Sequence, residues 1–274
     1  MSFALLLAAT AAIVAPPAPS PAPSIDYAKM VDEAIDGGRM IQAEAMLGQW
    51  RMAPQPQDLP VMEIATARIA LANGRTAEAE TRFAAISQGG STNCRVDEGL
   101  GVARLRLGRA RDALAPLQRA VDNCGDRWRA WNALGVAYDA AGSWALSAAA
   151  YERAFQLTDR PAQILNNYGM SLMAQGQPDR AAAIFDKARE LTPEDSRLIA
   201  NADAAYVMSG RDIQRRPADD ADRWARRLGD AGRVALRSGD MVKAQAYLSR
   251  AMTESESFQS DAASALATMG SAKP

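Results

Sequence analysis

The chain has 274 residues, 48% of them apolar and 23% charged, a balance that excludes wholesale disorder and suffices for a sizeable buried core. Lysine and arginine number 31 against 32 aspartates and glutamates, so there is no overall positive field to draw in a nucleic acid. Histidine is absent, which removes the commonest neutral-pH base, the Ser-His-Asp and Cys-His constellations and every His-ligated metal site; two cysteines are too few for a thiolate zinc cage. At the N-terminus, Phe3 to Val14 (FALLLAATAAIV) is an apolar run as long as an export-signal core and short of the ~20 residues needed to cross a bilayer. The following APPAPSPAPS, Ala15 to Ser24, reads as an extended solvated tether, because proline fixes φ and lacks an N–H. Residues 1–23 are therefore expected to be a leader and tether, placing the protein in the periplasm or outside the cell. The alternative is a cytoplasmic protein with an N-terminal helix. Folding is expected to begin near Ile25.

Beyond the tether, glycines recur at Gly38, Gly74, Gly108, Gly142, Gly176, Gly210 and Gly239, with spacings of 36, 34, 34, 34, 34 and 29. Five residues after most of them stands a small residue: Ala43, Ala79, Ala113, Ser147, Ala181 and Ala244. Four residues further stands a bulky one: Leu47, Phe83, Leu117, Tyr151, Phe185 and Leu248. A small residue lets a second helix approach closely, and the bulky one a turn later fills the adjoining groove, so the recurring pair predicts a helix hairpin. The fold class is accordingly all-α.

A hairpin repeat of this period resembles the tetratricopeptide repeat, with its W-x2-L-G-x2-Y, A-x3-F and P pattern. One unit supplies Trp131, Leu134, Gly135, Tyr138, Ser147, Tyr151 and Ala154; the next supplies Leu165, Tyr168, Gly169, Leu172, Ala181, Phe185, Ala188 and Pro193. The resemblance implies a right-handed superhelical solenoid in which stacked hairpins share a core and curve around a concave groove. About five units are expected over 24–210, strongest over 95–210. A degenerate unit and a final unit follow over 211–256, since Arg215, Arg216 and Pro217 interrupt a second-helix pattern. A capping helix and tail are expected over 257–274, the helix from Ser257 to Thr268 with Phe258, Ala262, Ala265 and Leu266 on its apolar face.

In such an array the first helix of each unit lines the groove. The groove candidates are Arg95, Glu98, Arg129, Asn132, Gln163, Asn166, Asn167, Met170, Met173, Arg197 and Asn201, with Val102, Val136 and Met208 beyond them. Asparagine can both donate to and accept from a peptide main chain, and arginine can hold a carboxylate, so the set points to capture of a segment of another protein. The opposing reading makes the polar residues a solvated helix face and the methionines core filler. Cys94 and Cys124 fall at the two ends of one expected hairpin, which antiparallel pairing brings together; they form a disulfide in an oxidising compartment and are small buried hydrophobes otherwise. The acidic stretch Glu254 to Asp261 reads as a solvated cap.

The run AWNALGVAYDAAGSWALSAAAYERAFQL, followed by LNNYGMSLMAQGQPDRAAAIFDKARELTPEDSRLIANADAAYVMSGRD, is similar to the TadD family of tight-adherence (Flp) pilus assembly. That resemblance implies a periplasmic scaffold that binds pilus or secretion components and touches the membrane only through them. TadD-like proteins typically carry a lipidated cysteine after the signal; this chain has no cysteine before Cys94, so a lipid anchor is not implied. Neither a cofactor, a metal nor a small-molecule substrate is expected. Glu98, Asp112, Asp139 and Glu152 are the only chemistry on offer, with no nucleophile motif or phosphate loop beside them, so no catalytic residue is assigned. A cytoplasmic co-chaperone or regulatory adaptor of the same fold is the alternative function.

Overall fold

The computed structural model describes residues 26–257 and 259–271; the expected leader and tether, and Phe258 of the expected cap, lie outside the described residues. Among the described residues the chain forms fourteen α-helices and one short 3-10 turn, and no strand. In order the helices are α1 (Tyr27–Asp36), α2 (Met40–Met52), α3 (Leu59–Ala72), α4 (Thr76–Gln88), α5 (Cys94–Arg106), α6 (Ala110–Asn123) and α7 (Trp128–Ala140). They continue as α8 (Trp144–Gln156), α9 (Ala162–Ala174), α10 (Pro178–Leu191), α11 (Ser196–Met208), α12 (Ala221–Arg237), α13 (Met241–Thr253) and α14 (Ser260–Ser271). Asp26 caps α1, its carboxylate accepting from the Lys29 amide at 3.0 Å.

Helices α1 to α10 pair into five consecutive hairpins, and α12 pairs with α13. The first helices also touch one another from unit to unit, α1 to α3, α3 to α5, α5 to α7, α7 to α9 and α9 to α11, whereas the second helices of neighbouring units have no comparable contact. Elements packed more closely on one side than on the other make a stack bend toward the closer side. The array therefore curves with its first helices inside, and residues on their outward-turned faces share one concave surface.

The hairpin turns have a local cause. At the end of α7 the Gly142 amide donates to Asp139 and the Ser143 amide reaches back to the Tyr138 carbonyl at 2.9 Å, a closure that puts Gly142 at φ +71°. A side chain would be strained there, which is why glycine recurs at that place. Packing within a hairpin rests on a second glycine. Gly135 of α7 lies against the Tyr151 ring of α8, Gly169 of α9 against Phe185 of α10, and Gly232 of α12 against Leu248 of α13; a Cβ would fall 2.7, 2.5 and 2.6 Å from those side chains. Tyr151, Phe185 and Leu248 are buried in consequence. Ala79, Ala113, Ser147, Ala181 and Ala244, the small residues of the sequence pattern, have no exposed surface.

The array is irregular at two places. Residues 209–220, where a second helix would follow α11, hold no helix. Instead Ile213 enters the core of α12 and α13, and Arg227 of α12 forms a buried network, bidentate to Asp203 of α11 at 2.7 Å on each side and paired with Asp219 of the loop. At the C-terminal end the cap begins three residues later than the expected Ser257, at Ser260. The reason is Asp222 of α12, which accepts from the Ser255 hydroxyl at 2.7 Å and from the Glu256 and Ser257 amides at 3.1 Å, holding those residues in a loop. Ala262 then buries against the last hairpin.

Cys94 at the start of α5 and Cys124 just after α6 are joined in a disulfide, with 6.1 Å between their Cα atoms and a sequence separation of 30. It closes the open end of the third hairpin. On the chain-entropy estimate a loop of this size contributes about 3 to 4 kcal/mol. Replacing both cysteines by serine is expected to lower the unfolding free energy by that order in urea titrations, and the unreduced wild-type protein should show no free thiol by mass spectrometry. Gly135→Ala should destabilise by about 1 to 3 kcal/mol through overpacking against Tyr151. By contrast Gly48→Ala, on the exposed face of α2 with nothing within 4 Å of the added carbon, should stabilise by about 0.5 to 1 kcal/mol. Equal effects at the two glycines would contradict the close-approach account.

Candidate functional site

Five first helices in succession, α1, α3, α5, α7 and α9, contribute to a cleft of about 420 Å³ on the concave face. Of the groove residues expected from the sequence, Arg95, Glu98, Val102, Arg129, Asn132, Val136, Gln163 and Asn167 line it together. The helical spacing explains the grouping: Arg95, Glu98 and Val102 lie at successive turns of one face of α5, and Arg129, Asn132 and Val136 at the corresponding places on α7. The floor between them is apolar, with Val102, Leu105 and Val136 joined by Leu71 of α3 and Ile35 of α1.

The charged residues of the cleft are not solvated singly. Arg127, just before α7, donates to Glu98 at 2.5 Å, and Arg106 donates to the Leu71 carbonyl at 2.6 Å. Arg95 pairs with Asp32 of α1, and Arg68 of α3 with both Asp32 and Asp36, the latter at 2.6 Å. Burial, which disfavours charge, pulls the Arg68 and Arg95 guanidinium groups below their ordinary pKa, the positive charge of Arg127 adding to the effect. Arg129 is more loosely held: it lies 3.9 Å from the Asp36 carboxylate and 4.6 Å over the Trp128 ring. Asp36, Arg68 and Trp128 are site residues that the sequence reading did not single out. An acidic pair at a spacing of four in α1, with an arginine in the next unit, was the signal available for the first two.

Two asparagine rungs continue the row. Asn167 donates to Asn132 at 3.1 Å, joining α9 to α7, and Asn201 donates to Asn166 at 2.7 Å, joining α11 to α9. Each rung uses one amide hydrogen and one carbonyl and keeps a carbonyl oxygen and further amide hydrogens for another group. Met170 and Met208 remain exposed beside them. The other candidates are placed elsewhere. Met173 packs against the core of α9 to α11, so its thioether fills space in the manner of an internal side chain. Arg197 is held at the rim by Asp195, the residue that caps its own helix, at 3.1 Å, and belongs to neither the cleft nor the rungs. Among the described residues no group of three or more acidic or cysteine side chains is arranged to hold a metal ion, and no helix is long and apolar enough to cross a membrane.

Models of the tetratricopeptide repeat match the chain at residues 64–126 and 98–161, and again at 162–195. No curated protein matches significantly. Among solved structures, a tetratricopeptide repeat protein from Parabacteroides merdae aligns with a TM-score of 0.52 and 14% identity over 88% of this chain and 96% of its own. A thermophilic tetratricopeptide protein of Thermus thermophilus aligns at 0.54 and 20% over 66% of this chain and 98% of its own. PilW, described as a widely conserved type IV pilus biogenesis factor, aligns at 0.55 and 14% over 88% of this chain and 96% of its own. At these identities the likeness is one of fold. The glycine-closed hairpins, the inner row of first helices and the family matches together make residues 64–195 an array of tetratricopeptide repeats in an all-helical solenoid.

Proposed function

We propose that this chain is a non-catalytic scaffold that grips a segment of a partner protein on its concave face, and that it acts outside the cytoplasm in assembling a pilus or another envelope structure. The observation that carries the binding reading is the pair of asparagine rungs, Asn132 with Asn167 and Asn166 with Asn201. A peptide main chain presents alternating donors and acceptors, and a row of amides that each retain both kinds of group can meet it without regard to side-chain identity. Export is supported by the Cys94 to Cys124 disulfide, which persists in oxidising compartments, together with the leader pattern of the sequence. The pilus role rests on the resemblance of the middle units to the TadD family; PilW, a pilus biogenesis factor by its description, shares the fold.

Each hydrogen bond lost from a rung is worth about 0.5 to 1.5 kcal/mol, so removing three amides should weaken binding by about tenfold or more. In crosslinking and pull-down from envelope extracts, the variant with Asn166, Asn167 and Asn201 all changed to Ala is expected to lose the proteins that the wild type retains, with an unchanged helical circular dichroism spectrum. Retention of the same proteins at the same yield would remove the groove from consideration.

A further inference from the structure

Three arginines from three consecutive first helices converge on one small acidic pair. Asp32 and Asp36 stand one helical turn apart on α1. Arg68 of α3 contacts both, Arg95 of α5 contacts Asp32, and Arg129 of α7 reaches the Asp36 carboxylate at 3.9 Å and its carbonyl at 3.4 Å. Arg129 and Asp36 are 93 residues apart in sequence, so the curvature of the array has brought the fourth unit back against the first. These contacts are uneven. Arg68 is nearly enclosed, with its side chain 11% exposed, whereas the Arg129 and Asp36 side chains are 42% and 39% exposed.

Partly exposed ion pairs such as that of Arg129 with Asp36 are worth about 0 to 1 kcal/mol each, because water screens them and the side chains lose freedom in forming them. They are therefore exchangeable: one carboxylate can replace another on the same arginine at little cost. The exchange does not require α1 to leave. Val31 and Ala34, which are buried against α2 and its neighbours, hold the helix, and Asp36 needs only to turn toward solvent. Beneath the arginines lies the apolar floor of Val102, Leu105 and Val136, which could cover the apolar side of an incoming helix.

Resting on the proposal that the concave face binds a partner segment, we infer that the part of the segment lying in the N-terminal cleft, ahead of the stretch that meets the amides, is an acidic helix carrying two carboxylates one turn apart. It takes Arg129 first and then shares Arg68 and Arg95, and Asp32 and Asp36 are resident competitors for the same charges. The arrangement acts as a filter. A neutral or basic helix gains nothing to offset the loss of the internal pairs, whereas an acidic helix replaces them one for one.

The test uses the full chain and two fluorescently labelled alanine-based helical peptides, one with glutamates four residues apart and one with glutamines in their place, followed by anisotropy. The glutamate peptide is expected to bind more tightly than the glutamine peptide, to weaken as salt rises, and to lose about tenfold in affinity to R129Q. Asp36→Asn should raise its affinity several-fold, because the competitor is gone while Asp32 still holds Arg68 and Arg95. Glu33→Gln, an equal change of charge on the exposed face of α1, controls for the overall field and should have little effect. Equal binding of the two peptides, or equal gains from D36N and E33Q, would overturn the inference. If the asparagine variant loses its partners while the glutamate peptide shows no preference, the acidic class of ligand falls and the binding groove stands.

Discussion

Everything in this fold depends on how closely two helices of a hairpin can approach. At Gly135 and Gly169 the backbone of the first helix lies directly under an aromatic ring of the second. Glycine within a helix costs about 1 kcal/mol relative to alanine, whereas burial of a large side chain returns about 1.5 to 3 kcal/mol. The packing gain exceeds the propensity loss, so the glycines persist in helix interiors where propensity alone would reject them. Once the hairpin distance is set, the spacing of successive first helices follows. So does the curvature that gathers side chains from five of them around one cleft.

The break after α11 shows what happens where that contact is missing. With no second helix over residues 209–220, Val207 and Ile213 supply the apolar contact to α12, and a charged device is added to it: Arg227 between Asp203 and Asp219. A buried ion network is a poor source of net stability, because desolvating three charges consumes most of the attraction between them. Its merit is geometry. The planar guanidinium fits the Asp203 carboxylate in one orientation only, which fixes the direction in which α12 leaves the loop and lets the last hairpin and the cap continue the stack.

Much of the architecture was legible in the sequence, because a repeat protein is held together by contacts a few tens of residues apart that recur in each unit. The turn glycines and the small-then-bulky pairs are such contacts. The cleft was legible only in part. Arg95 and Arg129 line the cleft from corresponding places in the repeat, yet their partners Asp32 and Asp36 lie two and three units away and depend on the curvature, which no local pattern records. Met173 differs: at a period of 34 its counterparts in the neighbouring units are Asp139, bonded to Ser147 and Tyr151, and the buried Val207, and Met173 itself packs half-buried against the core of α9 to α11. The delayed start of α14 follows from Asp222, a single carboxylate whose reach across 33 to 35 residues leaves no periodic trace.

The concave face is divided into two regions that work over different distances. Toward the N-terminus it is charged, with arginines set against the acids of α1; toward the C-terminus it is made of paired amides with exposed methionines beside them. Attraction between charges extends over about 8 to 10 Å at physiological salt and tolerates error in angle, whereas a hydrogen bond to an amide group weakens steeply with a displacement of about half an ångström or a poor angle. A segment arriving at such a face is drawn and oriented by its charged end before any amide contact can form. The amides then decide its register, since a shift by one residue along an extended chain turns the N–H and C=O that had faced them to the opposite edge. Asn132 and Asn167 lie at the boundary, lining the cleft while forming the first rung, so the end that is steered and the part that is aligned meet at one pair of side chains on α7 and α9.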